Sequence, residues 1–265
     1  MLKIQEKLFP RLSPSTPNKL IQLYIFYFQR MLGTRVFGSV KTNSLSLGLG
    51  ITSNLRILFM GQHNRISIGK SVRISNLKID ALGSNSTLVI DSNARIHDCY
   101  FLIQGDNASL IIGAGAELVG NFLVLADNDC SLDIGRGSLL GAGAQIRLGD
   151  GHAVVDINEM KVTNKASYVK LNPRVWLGLD CLVLKNVEIG QNSVVGARSV
   201  VTKNLPANSL AAGVPAKVIR TGITWLNQRV DSLPDNWKKE ILRHTSVVHG
   251  KHSAVDDLDE NHGAH

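Results

Sequence analysis

The sequence predicts an all-β fold: a solenoid of stacked coils, first 22 and then 18 residues long, with helices at both ends. Three observations predict it. Ile68-Gly69, Ile90-Asp91, Ile112-Gly113 and Ile134-Gly135 recur every 22 residues, and other columns recur with them. Leu177-Gly178, Ile189-Gly190 and Val195-Gly196 then fall at multiples of six. Finally, 24 glycines accompany only 5% aromatic residues, which fits an aliphatic core with tight turns rather than a helical bundle.

The elements follow in order. Residues 1–45 read as an N-terminal helical cap, because Thr16-Pro17 offers an N-cap followed by proline, and Gly33 can stop the helix after Leu32. This helix is apolar nearly all round, so it caps the solenoid or packs on a neighbouring subunit. The alternative is shallow contact with a membrane surface, since its apolar run is too short to span a bilayer.

The solenoid is expected over 46–220. A degraded first unit carries Gly61 and Ile66, and four regular units follow. Their seventh column is aliphatic (Ile74, Ile96, Leu118, Leu140), and their sixteenth is a turn column (Gly83, Gly105, Asp127, Gly149). Stacked coils set like on like, and glycine permits positive φ in the corners. Residues 154–174 break the columns and are expected to leave the solenoid as a loop, where binding residues tend to sit. From 175 to 206 the units are six residues long, three to an 18-residue coil, which makes a triangular prism. One or two short helices are expected over 221–248, with Pro234 opening the second, and a disordered polar tail over 249–265.

A net charge of +8 suits an anionic ligand, but the basic residues are scattered, so no nucleic-acid partner is expected. Cys99, Cys130 and Cys181 lie far apart without a CxxC spacing, which fits buried thiols in a reducing compartment. The first residues lack a secretory pattern. A cytoplasmic location is expected, at the inner face of the membrane if the N-terminal helix touches lipid.

The chemistry-bearing residues lie in three stretches. "GDGHAVVD" holds Asp150, His152 and Asp156; "VWLG" puts Trp176 24 residues after His152; and "VVGARSVVTKNLPANSLAAGVPAKVIR" closes the solenoid. Together they resemble the hexapeptide-repeat O-acetyltransferases, a superfamily that includes galactoside and maltose acetyltransferases and enzymes decorating bacterial surface polysaccharides. The resemblance is close over 146–225 and looser over 46–145. It implies a left-handed parallel β-helix, a hand the periodicity alone does not fix. It implies acetyl-CoA as co-substrate, held in a groove between adjacent prisms, and a homotrimer with active sites between subunits.

On the donor side the matching positions are Trp176, Gly178, Leu179, Ala197, Thr202, Lys203 and Arg220. Trp176 would flank the groove, Ala197 would offer its backbone, and Arg220 would reach the phosphates of the adenosine end. Leu179 stands where relatives often have a hydroxyl or small residue, so only a contact through its backbone amide carries over.

A sugar hydroxyl attacks a thioester well only as its proton leaves, and a neutral imidazole near pH 7 can take that proton. In the repeat register His152 takes the nineteenth column, after Ser86, Ala108 and Cys130, so the scaffold is expected to fix its position. Either Asp150 or Asp156 could hold its other ring nitrogen. No metal is expected, because His63, His97 and His152 fall in columns too far apart to converge. Cys130 is read as a buried thiol, with a Cys–His nucleophile as the alternative. The expected activity is acetyl transfer to a saccharide hydroxyl in capsule, lipopolysaccharide or a related glycan. The alternatives are N-acetylation of an aminosugar or nucleotide aminosugar, and a non-catalytic β-helical assembly subunit.

Overall fold

In the computed structural model, which describes residues 33–39, 41–228, 231, 233 and 235–245, the chain winds into parallel coils with three flat faces. The described residues form two compact units that part after Ile223. The N-terminal helix and the tail expected from the sequence lie outside the described residues.

The register of strand pairing shows the prism. On the first face Arg73 pairs with Arg95, Arg95 with Glu117 and Glu117 with Leu139; the column continues through Trp176 and Val194 to Leu210. The second face runs from Ile57 through Ile79, Phe101, Val124, Ile146 and Val183 to Val201. The third runs from Ile66 through Leu88, Leu110, Leu132 and Val169 to Val187. In the long coils one strand, such as Arg73–Ala81, bends across the first and second faces. The 22-residue steps therefore persist in the pairing, as between Ile68, Ile90 and Ile112.

Alternation explains the core. Inward side chains such as Ile79, Phe101, Leu110 and Leu140 are fully buried, each contributing about 1.5–3 kcal/mol of transfer free energy. Corners need a left-handed residue, and in the eighteenth column His63, Asn85, Asn107 and Asp129 adopt φ of 58°, 57°, 59° and 51°. Asparagines also tie coil to coil along the edge between the first and second faces: Asn54 Nδ2 donates to Asn76 Oδ1 at 2.8 Å, and Asn76 Nδ2 to Asp98 Oδ1 at 2.6 Å. The sixteenth-column glycines serve close approach, since a Cβ on Gly83 would stand 2.0 Å from the Gly105 carbonyl oxygen.

The outward residues differ between faces. The first presents Arg73, Ser75, Arg95, His97 and Val119, and the third Arg65, Ser109, Ile111, Ser131 and Asp133. The second presents Leu58, Leu102, Leu123, Leu125, Leu182 and Leu184, interspersed with Arg56, Lys78, Tyr100, Gln145 and Arg147. Asp80, only 7% exposed, also lies on the second face. Its Oδ2 accepts from Tyr100 OH at 2.8 Å and pairs with Lys78 at 2.6 Å, while Oδ1 is buried without a partner among the described residues.

The coils close with an antiparallel hairpin, Ser209–Gly213 and Ala216–Thr221. The second unit includes an α-helix, Trp237–Thr245. Among the described residues no helix is long and apolar enough to cross a membrane.

Candidate active site

The long-coil register holds through Gly149, which packs against Asp127 one coil below. There the chain leaves the prism. It returns at Ser167, whose N–H donates to the Leu148 carbonyl at 2.9 Å and closes the neck of the excursion. Tyr168–Leu171 is a strand of the third face, paired with Ser131–Ile134. The excursion thus spans 150–166 rather than the expected 154–174. Two local features account for this: Gly151, at φ 74°, permits the departure, and Tyr168–Leu171 alternates exposed with buried residues, as the prism requires.

His152 is consequently not in the nineteenth column. That place in the coil is filled by Ser167, because Ser131 pairs with Tyr168. The histidine instead stands exposed on the excursion, which leaves from the edge between the second and third faces. It lines an open pocket of about 410 Å³ whose other walls include Asp127, Asn128 and Asp129 of the coil below, and Asn164 and Lys165 of the returning arm. The far end of the excursion is a two-stranded hairpin, Val155–Asp156 against Lys161–Val162, with Ile157 and Met160 about 80% exposed at its tip.

The two aspartates considered as partners of the imidazole are engaged elsewhere. Asp150 Oδ2 is paired with Lys185 Nζ and accepts from Asn164 Nδ2 at 2.7 Å. The Lys185 hydrogen bond, more than the Asn164 one, holds its carboxyl below the usual range against the opposing effect of burial. Asp156 Oδ1 accepts from the amides of Asn158 and Glu159 at 2.8 and 3.0 Å, shaping the hairpin turn. Cys130 is buried and donates to the Asp127 carbonyl at 3.0 Å. Burial pushes its thiol up to about 11, which makes it a poor nucleophile near neutrality.

The donor-side residues fall on more than one part of the prism. Trp176 lies on the first face, 37% exposed, and the chain turns next through Gly178 and Leu179 into the edge with the second face. Ala197 stacks one coil above on that edge, so closely that a Cβ on Gly178 would stand 2.7 Å from the Ala197 nitrogen. Arg198 extends the same edge, and its Nε reaches Asp180 Oδ2 at 3.5 Å. Thr202 and Lys203 instead follow Val200–Val201 to the opposite edge of the second face, one coil above Lys185. Arg220 is exposed on the closing hairpin, opposite Leu210.

Sequence reasoning missed Asn164 and Lys185. Neither belongs to a spaced motif, and their significance appears only when the excursion folds back onto the prism edge.

No family model matches the chain. It is 48% identical over 52 residues to the galactoside O-acetyltransferase of Escherichia coli, which is 20% of this chain and 26% of that protein. The matched stretch is about a quarter of the curated relatives' own length. Among solved structures, the polysialic-acid-specific acetyltransferase NeuO superposes with a TM-score of 0.71 at 25% identity, over 79% of this chain and 96% of that one. The polysialic acid O-acetyltransferase OatWY superposes with a TM-score of 0.62 at 25% identity, over 78% and 94%. The chain resembles the hexapeptide-repeat O-acetyltransferases in fold and in sequence. Its architecture is the left-handed parallel β-helix of those neighbours.

Proposed function

We propose that the protein transfers an acetyl group from acetyl-CoA to a saccharide hydroxyl, with His152 as general base, in a homotrimer whose sites lie between copies. The observation that carries this reading is the placing of two edges on either side of one leucine-rich face. The His152 excursion and Lys203 flank the second face on one side; Gly178, Leu179 and Ala197 flank it on the other. Three copies that turn their leucine-rich second faces toward a common axis bring one edge of each copy against the opposite edge of the next. Such a head-to-tail contact closes into a ring. It would also bury the outward leucines.

In that groove His152 takes the proton of the attacking hydroxyl as the new C–O bond forms. The charge on the thioester oxygen would be stabilised by a backbone amide on the donor edge, such as that of Leu179. The C–S bond then breaks, and the imidazolium returns its proton to the departing CoA sulfur. Trp176 would flank the pantetheine arm, Thr202 and Lys203 would contact the donor, and Arg220 would hold a phosphate. Asp150 acts in this reading through the loop rather than through the ring, and Asp156 through the hairpin turn.

The names of NeuO and OatWY support a polysaccharide acceptor, such as a capsule or lipopolysaccharide glycan. A second reading, N-acetylation of an aminosugar, is favoured by the acidic floor of the pocket, Asp127 and Asp129. Incubation with labelled acetyl-CoA and a panel of galactosides, sialic acid oligomers and aminosugars separates the readings. An alkali-labile ester supports the first and an amide the second.

A further inference from the structure

A histidine on a long excursion can serve as a base only if its backbone is held, and the structure shows what holds it. Asn164, on the returning arm, uses its side chain three times. Its Nδ2 donates to Asp150 Oδ2 at 2.7 Å and to the His152 carbonyl oxygen at 2.9 Å, and its Oδ1 accepts from the Val154 amide at 2.7 Å. One carboxamide therefore brackets His152 at the residue itself and at two residues on either side, filling both of its donors and one acceptor site.

The clamp is itself anchored. Lys185 follows the strand Leu182–Leu184 of the second face, so its backbone belongs to the rigid prism. Its side chain is only 17% exposed; its Nζ pairs with Asp150 Oδ2 and donates to the Asn164 carbonyl at 3.0 Å. From Lys185 on the prism, hydrogen bonds thus run to Asn164 and Asp150, and from Asn164 to the peptide carrying the imidazole. None of these contacts is to the ring.

We propose that Asn164 and Lys185 are positioning residues for His152, setting where the imidazole stands by fixing its backbone against the prism edge. The proposal rests on the reading of His152 as the general base. Displacement of a catalytic group by about an ångström costs on the order of a hundredfold in rate, so loosening the clamp acts on turnover rather than on donor binding.

The test uses the full chain and labelled acetyl-CoA, with a galactoside as acceptor or, where none is acetylated, water as acceptor. Asn164→Ala and Lys185→Ala should each lower kcat by about 10–100-fold while the KM for acetyl-CoA stays within about twofold. Lys185→Arg should recover most of the loss. Repeated in a His152→Ala background, the same substitutions should change the residual rate little, because the group they position is gone. Losses that persist in full in that background, or an unchanged kcat in the single variants, overturn the proposal. If His152→Ala itself keeps the wild-type rate, the base assignment fails and the proposal falls with it. If His152→Ala is inactive and Asn164→Ala is not, only the proposal fails.

Discussion

Ser167 donates its amide hydrogen to the carbonyl of Leu148 at 2.9 Å, so the excursion that carries His152 leaves the prism and returns to it at one point. That closure lets the coil above and the coil below stay in register, while the excursion remains free to project from the edge. It also means that the histidine's position depends on local bonds rather than on the repeat.

The separation of the donor edge from the histidine edge leads to a complementation test. His152→Ala and Ala197→Trp, the latter obstructing the donor edge, should each be inactive alone. Co-refolded, they should regain part of the wild-type transfer, because some mixed rings pair an intact histidine edge with an intact donor edge. Light scattering should show a trimer throughout. A stable monomer with full activity would contradict the shared site.

Two glycines should respond very differently to alanine. Gly83→Ala drives a methyl to 2.0 Å from the Gly105 carbonyl oxygen and should cost about 3 kcal/mol or more of stability. Gly115 has φ of 68° and nothing within 4 Å, so Gly115→Ala should cost only the left-handed strain, about 1–2 kcal/mol. Denaturant titration reads both, and similar losses would undermine the stacked-corner account.

Acidification should loosen the histidine excursion before the coils. Lys185, and then Asn164, hold the Asp150 carboxyl below its ordinary range. A carboxylate with a depressed pKa contributes its full stabilisation above the unfolded value of about 3.9 and loses it as pH falls through the folded value. Amide exchange over 150–166, corrected for intrinsic rates, should therefore be steady from pH 7 to about 5 and accelerate below about 4. Lys185→Met should move that acceleration upward in pH. An identical profile in the variant would separate Asp150 from Lys185.

Arg220 is exposed on the closing hairpin, where it could hold the 3′-phosphate of the donor. Arg220→Ala should raise the KM for acetyl-CoA about tenfold, equivalent to about 1.4 kcal/mol, and leave that for acetyl-dephospho-CoA nearly unchanged. Equal effects on the two donors would remove Arg220 from the phosphate site.

Much of the fold was legible because a solenoid writes its geometry into the spacing of residues. The 22-residue recurrence of Ile68, Ile90, Ile112 and Ile134 is the strand register of the third face up to Ile134, and the short-period run ends in coils whose partners stand 18 apart, as Val183 and Val201 do. The same regularity misled at His152. Its segment matches the repeat in residue type, but Gly149-Asp150-Gly151 lets the chain leave, and Ser167 takes the place in the coil. Asn164 and Lys185 were illegible because their bonds join segments that are brought together only by the closed neck. The outward leucines of the second face were likewise hidden, since Leu102, Leu123 and Leu182 look like core residues until alternation assigns them outward.

The most direct test of the account is acetyl transfer from labelled acetyl-CoA to the acceptor identified by the panel, compared between the wild type and His152→Ala. The account predicts a folded variant that still binds CoA but has lost transfer by about 10²–10⁴-fold. Transfer at the wild-type rate by that variant would contradict it.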